Sequence, residues 1–116
     1  MSDVEAAEQI EKLTQELRRG TIVLCVLSEL QKPQYGYSLI QNLSKKGMDV
    51  EQNTLYPLLR RLEKQQLLKS DWDVNESRPR RYYVISEKGK RVLQALTSYW
   101  KQQVLVVENI LFSTNE

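Results

Sequence analysis

Histidine is missing from the 116 residues of this chain, and cysteine occurs once, as Cys25. The two shortages exclude whole classes of chemistry. Zinc sites built on His and Cys, Ser-His-Asp triads and Cys-His pairs all need side chains that the chain does not contain. Cys25 stands in the apolar run from Ile22 to Leu27, which makes it a small buried hydrophobe rather than a nucleophile or half of an intrachain disulfide. Carboxylates alone could still transfer protons, but no closely spaced Asp/Glu pair lies in an apolar context that would separate two pKa values. Neither an enzyme, nor a metal site, nor a cofactor is expected.

Long apolar runs are missing as well. No window approaches the roughly 18 residues of a membrane span. The first residues include Asp3, Glu5, Glu8 and Glu11, where a signal peptide would be basic and then apolar. The expectation is a cytoplasmic protein with no membrane contact. A hydrophobic content of 41% beside 28% charged residues suits one ordinary core, and the length suits one domain.

What is present is an uneven distribution of charge. The net charge is only +2, yet Arg60–Arg91 holds ten Lys/Arg against five Asp/Glu, so this segment is +5 and the remainder −3. A basic stretch on a mildly acidic chain is the footprint of a phosphate-binding surface, or of a solvated charge run.

Its centre is the segment from Asn53 to Leu67. Leu55, Leu58, Leu59 and Leu62 recur at i, i+3, i+4 and i+7, a stripe that seeks a core, while Tyr56, Arg60, Arg61 and Lys64 point elsewhere. Asn53 is expected as the N-cap, with Pro57 as the fourth helical residue; a start two residues earlier is also compatible.

Upstream, residues 4–19 form an amphipathic helix with a narrow apolar face of Val4, Ile10, Leu13 and Leu17. Gly20 is either a kink in one long helix or a break before a second, buried one that carries Leu24, Leu27 and Leu30. Gln31 to Gln34 reads as a turn around Pro33. A short helix opens at Gly36 and ends at Gly47, the usual left-handed cap residue. Two short helices with a brief link, the second cationic on its outer face, make a helix-turn-helix.

Downstream the period changes. Trp72 and Val74 alternate with Asp71 and Asp73, a polar run interrupts, and Tyr82 to Ile85 is strand-prone again, so a β-hairpin is expected with Arg78, Arg80 and Arg81 on its tip and returning arm. Ser86 caps a final helix of about 25 residues, some 37 Å long. Leu93, Leu96, Trp100, Val104, Val107 and Leu111 form its stripe, more than the chain itself can cover, which points to a two-fold homodimer. The fold class is mainly α with a β-hairpin: residues 1–86 hold the N-terminal helix and a winged helix-turn-helix, residues 87–116 the C-terminal dimerisation helix, all within one structural domain.

Five segments carry a resemblance in order and spacing: Leu17-Arg18-Arg19-Gly20-Thr21, Tyr35-Gly36-Tyr37-Ser38-Leu39, Thr54 through Glu63, Ser77 through Tyr83, and Ser86-Glu87-Lys88-Gly89. Over residues 17–111 the chain resembles the PadR family of bacterial transcription regulators, in its short branch. The resemblance implies a DNA-binding repressor, released by a small molecule or stress signal. In similar short members a tryptophan pair at the dimer centre stacks on flat aromatic compounds, so the resemblance marks Trp100 as a ligand platform, while its spacing equally suits dimer packing.

On that reading the helix at Asn53 enters the major groove. Asn53, Thr54 and Arg60 or Arg61 are expected to reach base edges, Tyr56 and Lys64 to meet phosphates, and Arg78, Arg80 and Arg81 to touch the backbone or the minor groove. The partner is double-stranded DNA with a partly palindromic operator. The alternative from another class is a winged-helix interaction or ligand-binding module without specific DNA binding.

Overall fold

The computed structural model describes residues 2–75 and 77–113. Among these, four helices and three strands follow one another as α1 (Asp3–Glu29), β1 (Gln34–Tyr35), α2 (Gly36–Lys45), α3 (Gln52–Lys64), β2 (Leu68–Asp73), β3 (Arg80–Ile85) and α4 (Glu87–Phe112). The strands form an antiparallel sheet in the order β1-β3-β2. The result is a winged helix-turn-helix with a long C-terminal helix.

Gly20 neither breaks nor ends α1, which is continuous from Asp3 to Glu29. Only its C-terminal part is buried, through Ile22, Val26 and Leu27. These side chains meet Leu39 and Leu43 of α2, the Leu55, Leu58, Leu59 and Leu62 stripe of α3, and Leu68, Tyr83 and Ile85 of the sheet. Cys25 packs half-buried against this core, and burial, reinforced by Glu29, pushes its thiol pKa up.

Two tight turns shape the reading unit, and both are Schellman motifs. After α2, Gly47 adopts φ +99, Met48 N–H donates to the Leu43 carbonyl at 2.8 Å and Gly47 N–H to that of Ser44 at 3.0 Å. After α3, Leu67 N–H donates to Leu62 at 2.9 Å and Gln66 N–H to Glu63 at 2.9 Å. Here the left-handed position is held by Gln66, at φ 67, where a glycine is usual.

The structure decides between the two starts of α3 and corrects two expectations for the strands. The N-cap of α3 is Glu51, whose carbonyl accepts from Thr54 and Leu55: the helix takes the earlier of the two starts compatible with the sequence, and Asn53 lies inside the first turn. Pro57 consequently stands two residues deeper than with Asn53 as cap, as the sixth helical residue, and leaves the Asn53 carbonyl without an i+4 N–H. Gln34, expected in a turn, begins a two-residue strand that pairs with β3 through Gln34↔Tyr83 and Tyr35↔Tyr82. The segment is too short for an alternating pattern, and its strand partner lies about 50 residues away; the Gln34 side chain is held nearer by, donating to the Glu29 carbonyl at 2.7 Å and accepting from Asn42 at 2.7 Å. Val74 lies beyond the end of β2 and is exposed.

The joint between α3 and α4 is unusually close. Ser86 Oγ caps α4 by accepting from Gly89 N–H at 2.9 Å and itself donates to the Gln66 carbonyl at 2.7 Å, while Ser86 N–H donates to Leu67 at 3.0 Å. Lys88 Nζ donates to the Gln65 carbonyl at 3.1 Å. A Cβ on Gly89 would lie 2.2 Å from the Leu67 carbonyl oxygen, so only glycine permits this approach.

Beyond that joint α4 runs into the open. Among the described residues no helix is long and apolar enough to cross a membrane.

Candidate nucleic-acid interface

Helical geometry sorts the outer residues of α3 into three lines. Asn53, Arg60 and Lys64, at i, i+7 and i+11, run down the middle of the exposed face. Thr54 and Arg61 occupy one flank, Tyr56 and Glu63 the other. Asn53, Thr54, Arg60, Arg61 and Lys64 are all exposed, so the leucine stripe leaves their polar ends outward. Basic residues in the last turn, Arg61 and Lys64, also suit the negative end of the helix dipole.

Tyr56 is placed differently. Its ring lies on Gly36 at the start of α2, where an added Cβ would be 2.5 Å from Cε1 and 2.8 Å from the hydroxyl oxygen. The tyrosine is half-buried and fixes the angle between the two helices of the helix-turn-helix. Gly36 is thus required by a close approach, not by its backbone angles.

The hairpin β2–β3 is the wing. Its register, from Leu68↔Ile85 to Asp73↔Arg80, puts Leu68, Ser70 and Trp72 with Arg81, Tyr83 and Ile85 on one face, and Asp71 and Asp73 with Arg80 and Tyr82 on the other. On the first face Arg81 donates to Glu63 Oε1 at 3.1 Å and to Ser70 Oγ at 3.0 Å. Its guanidinium lies 5.6 Å from the Trp72 ring centroid and 5.7 Å from that of Tyr83. Burial pushes the Tyr83 pKa up, with Arg81 opposing it.

On the second face the Tyr35 hydroxyl donates to Asp73 Oδ2, and Arg80 lies over the Tyr35 ring, 4.1 Å from its centroid. The Tyr35 hydrogen bond, helped by the Asn75 N–H and by Arg80, holds the Asp73 carboxyl below the usual carboxylate range. Tyr82 meets Tyr35 edge to face at 6.4 Å. Arg78 is exposed near the tip.

Sequence reasoning did not single out Tyr35, Glu63 or Ser70, because their partners are up to 38 residues away in the chain. Nor did it mark Arg18 and Arg19, which line, with Thr54 and Arg61, an open groove of about 570 Å³ between α1 and α3. Among the described residues no group of three or more His, Cys, Asp or Glu side chains could hold a metal ion.

The predicted dimerisation stripe divides in two. Leu93 is only 9% exposed and belongs to the chain's own core, whereas Leu96, Trp100, Val107 and Leu111 are exposed, and Val104 is half-buried. Trp100, 46% exposed, stands on open helix surface, and the apolar residues of the first five turns of α1, such as Leu13 and Leu17, are equally uncovered.

Comparison with known proteins places this geometry in a family. The profile of the transcriptional regulator PadR-like family matches residues 23–95, more than half of the chain. A PadR family transcriptional regulator of Eggerthella lenta has a similar solved structure, with a TM-score of 0.86 and 44% identity, covering 97% of this chain and 99% of that one. A PadR-like transcription factor of Bacteroides fragilis is similar over 85% of this chain and 98% of its own, with a TM-score of 0.73 and 34% identity. A transcriptional regulator of Mycobacterium tuberculosis is 37% identical over 79 residues, 67% of this chain and 74% of that protein. The chain belongs to the PadR-like family of DNA-binding transcriptional regulators.

Proposed function

We propose that the protein is a sequence-specific repressor that binds a partly palindromic operator as a homodimer and is released by a small planar aromatic compound. The observation that carries this reading is the outer face of α3: Asn53, Arg60 and Lys64 in one exposed line, flanked by Thr54 and Arg61, beside a wing with Arg78 near its tip. Asn53, Thr54, Arg60 and Arg61 are the candidates for base edges, since an Arg fork fits the guanine N7 and O6 acceptors. Lys64 and the Tyr56 hydroxyl side suit phosphates, and Arg78 and Arg80 suit the backbone or minor groove next to the helix. Arg81, expected to join them, is engaged instead between Glu63 and Ser70.

Support for the homodimer comes from the uncovered apolar surface of α1 and α4. Contact would begin at Leu96 and continue through Trp100, Val104, Val107 and Leu111, with Leu93 contributing from beneath. A two-fold axis among the α4 helices would set two α3 helices one DNA turn apart, about 34 Å. A ligand on Trp100 controls binding only if it favours a dimer in which that separation is wrong.

The test is binding of the full chain to the DNA upstream of its own gene and to random DNA of equal length, at two salt concentrations. The proposal expects a clear preference for the upstream DNA that persists at the higher salt. Strong salt dependence without preference would leave generic polyanion binding, as of an interaction module that has lost its operator. For the ligand, quenching of Trp100 fluorescence by planar aromatic compounds is expected in a Trp72→Phe background. A diverse panel without effect would assign Trp100 to dimer packing.

A further inference from the structure

Glu63 is a carboxylate on the side of α3 where the neighbouring Arg60 and Lys64 are cationic. Simple electrostatics makes it a liability there, because it repels phosphate. Its surroundings give it another use. Glu63 Oε2 accepts the Ser70 hydroxyl at 2.6 Å, Glu63 Oε1 accepts Arg81 Nη2 at 3.1 Å, and Arg81 Nε donates to Ser70 Oγ at 3.0 Å. Three side chains from α3, β2 and β3 therefore close a ring of hydrogen bonds. The Glu63 and Arg81 side chains are only 29% and 39% exposed, and the rings of Trp72 and Tyr83 flank the guanidinium.

We propose that Glu63 is a positioning residue for DNA binding: with Ser70 and Arg81 it brackets the wing to the reading helix, and Arg81 serves this bracket rather than a phosphate. The inference rests on the DNA-binding reading above. The register of the hairpin explains the need. The apolar contact of the wing with the core, through Leu68, Tyr83 and Ile85, stops at the root of the hairpin. Ser70 stands opposite Tyr83 at the edge of that contact, and further out on the same face the side chains are Trp72 and Arg81. Six residues per strand make a lever of about 20 Å, so a 10° pivot at the root moves the tip by roughly 3 Å, about the length of one hydrogen bond. The bracket converts a hairpin held at one end into a wing with a fixed angle to α3, and so fixes where Arg78 and Arg80 meet the DNA.

The sign of one substitution separates this role from plain electrostatics. Glu63→Gln removes a negative charge near DNA and should tighten binding if the residue is only a neighbour. The bracket requires the opposite, a loss of about fivefold for a part-exposed pair. Arg81→Lys keeps the charge but not the forked geometry, and should weaken operator binding about as much. The double variant should bind about as each single one does, since both break one unit.

In the Glu63→Gln complex, hydroxyl-radical protection of the backbone beside the wing should fade while guanine protection in the major groove persists; a merely destabilised fold would lose both together. Without DNA, amide exchange should accelerate in β2 and β3 while α2 keeps its wild-type protection. Unchanged exchange, equal or tighter operator binding by Glu63→Gln, or full additivity would overturn the bracket. Failure of the wild-type chain to prefer its operator would overturn the DNA reading instead, and the exchange experiment would still decide the bracket.

Discussion

Gly89→Ala tests the closest approach in the molecule. A Cβ at this position meets the Leu67 carbonyl oxygen at 2.2 Å and Ile85 Cγ1 at 2.6 Å. A carbon–oxygen contact relaxes only near 3.3 Å, so the first turn of α4 and the turn after α3 must separate by about 1 Å. Overpacking of this kind costs about 1–3 kcal/mol. The displacement also strains the bonds from Ser86 to Gln66 and Leu67, worth about 1 kcal/mol each. Against this, alanine is favoured over glycine in a helix by about 1 kcal/mol. The net expectation is a loss of about 2 kcal/mol, or roughly 8 °C in melting temperature for a chain of this size.

Thermal unfolding followed by far-UV circular dichroism measures it, at one fixed concentration because any dimer links stability to concentration. Gly20→Ala is the internal control: it also sits in a helix, but nothing lies within 4 Å of its added Cβ, so a gain of about 0.5–1 kcal/mol is expected. A Gly89→Ala protein that melts at or above the wild-type temperature would refute the argument from close approach.

The paired Schellman turns predict opposite responses: Gln66→Gly should stabilise by about 0.5–1 kcal/mol and Gly47→Ala should destabilise by about 1 kcal/mol in urea melts, because only glycine is unstrained at positive φ. Tyr35→Phe removes the largest cause of the depressed Asp73 pKa, so the carboxyl should titrate nearer its ordinary range in carboxyl-resolved NMR. Since the folded pKa is lowered, what Asp73 contributes to stability is present above about pH 4, its unfolded value, and is lost as pH falls through the folded one. Val107→Asp places a carboxylate on the proposed α4 interface, where an unpaired buried charge costs about 3 kcal/mol or more, roughly a hundredfold in dimer affinity. Sedimentation equilibrium should then show a monomer, and an unchanged mass would remove Val107 from the interface.

The parts of this fold that were legible in the sequence are those written as a repeating pattern over a dozen residues. The leucine stripe of α3, the apolar run at the end of α1 and the Ser86 cap each announce themselves locally, and Gly47 marks its turn because only glycine is cheap there. Gln66 adopts the same backbone region without that mark, so its turn was silent. The start of α3 stayed open between two positions because Glu51, the cap, contributes only its backbone carbonyl, whereas Asn53 has the side chain that usually caps. Tyr56 and Arg81 illustrate a different limit. Both are residue types that meet phosphates, and the placement of each depends on partners that only folding brings near, Gly36 for one, Glu63 and Ser70 for the other.

The central claim is that the outer face of α3 reads base edges, and Arg60→Ala and Arg61→Ala, each measured on the operator and on random DNA of equal length, test it most directly. The account predicts that at least one of them costs about 1–3 kcal/mol on the operator, roughly tenfold or more, and far less on random DNA, so that discrimination falls. Loss by the same factor on both DNAs, for both variants, would mean that these arginines only hold phosphates, and would contradict the account.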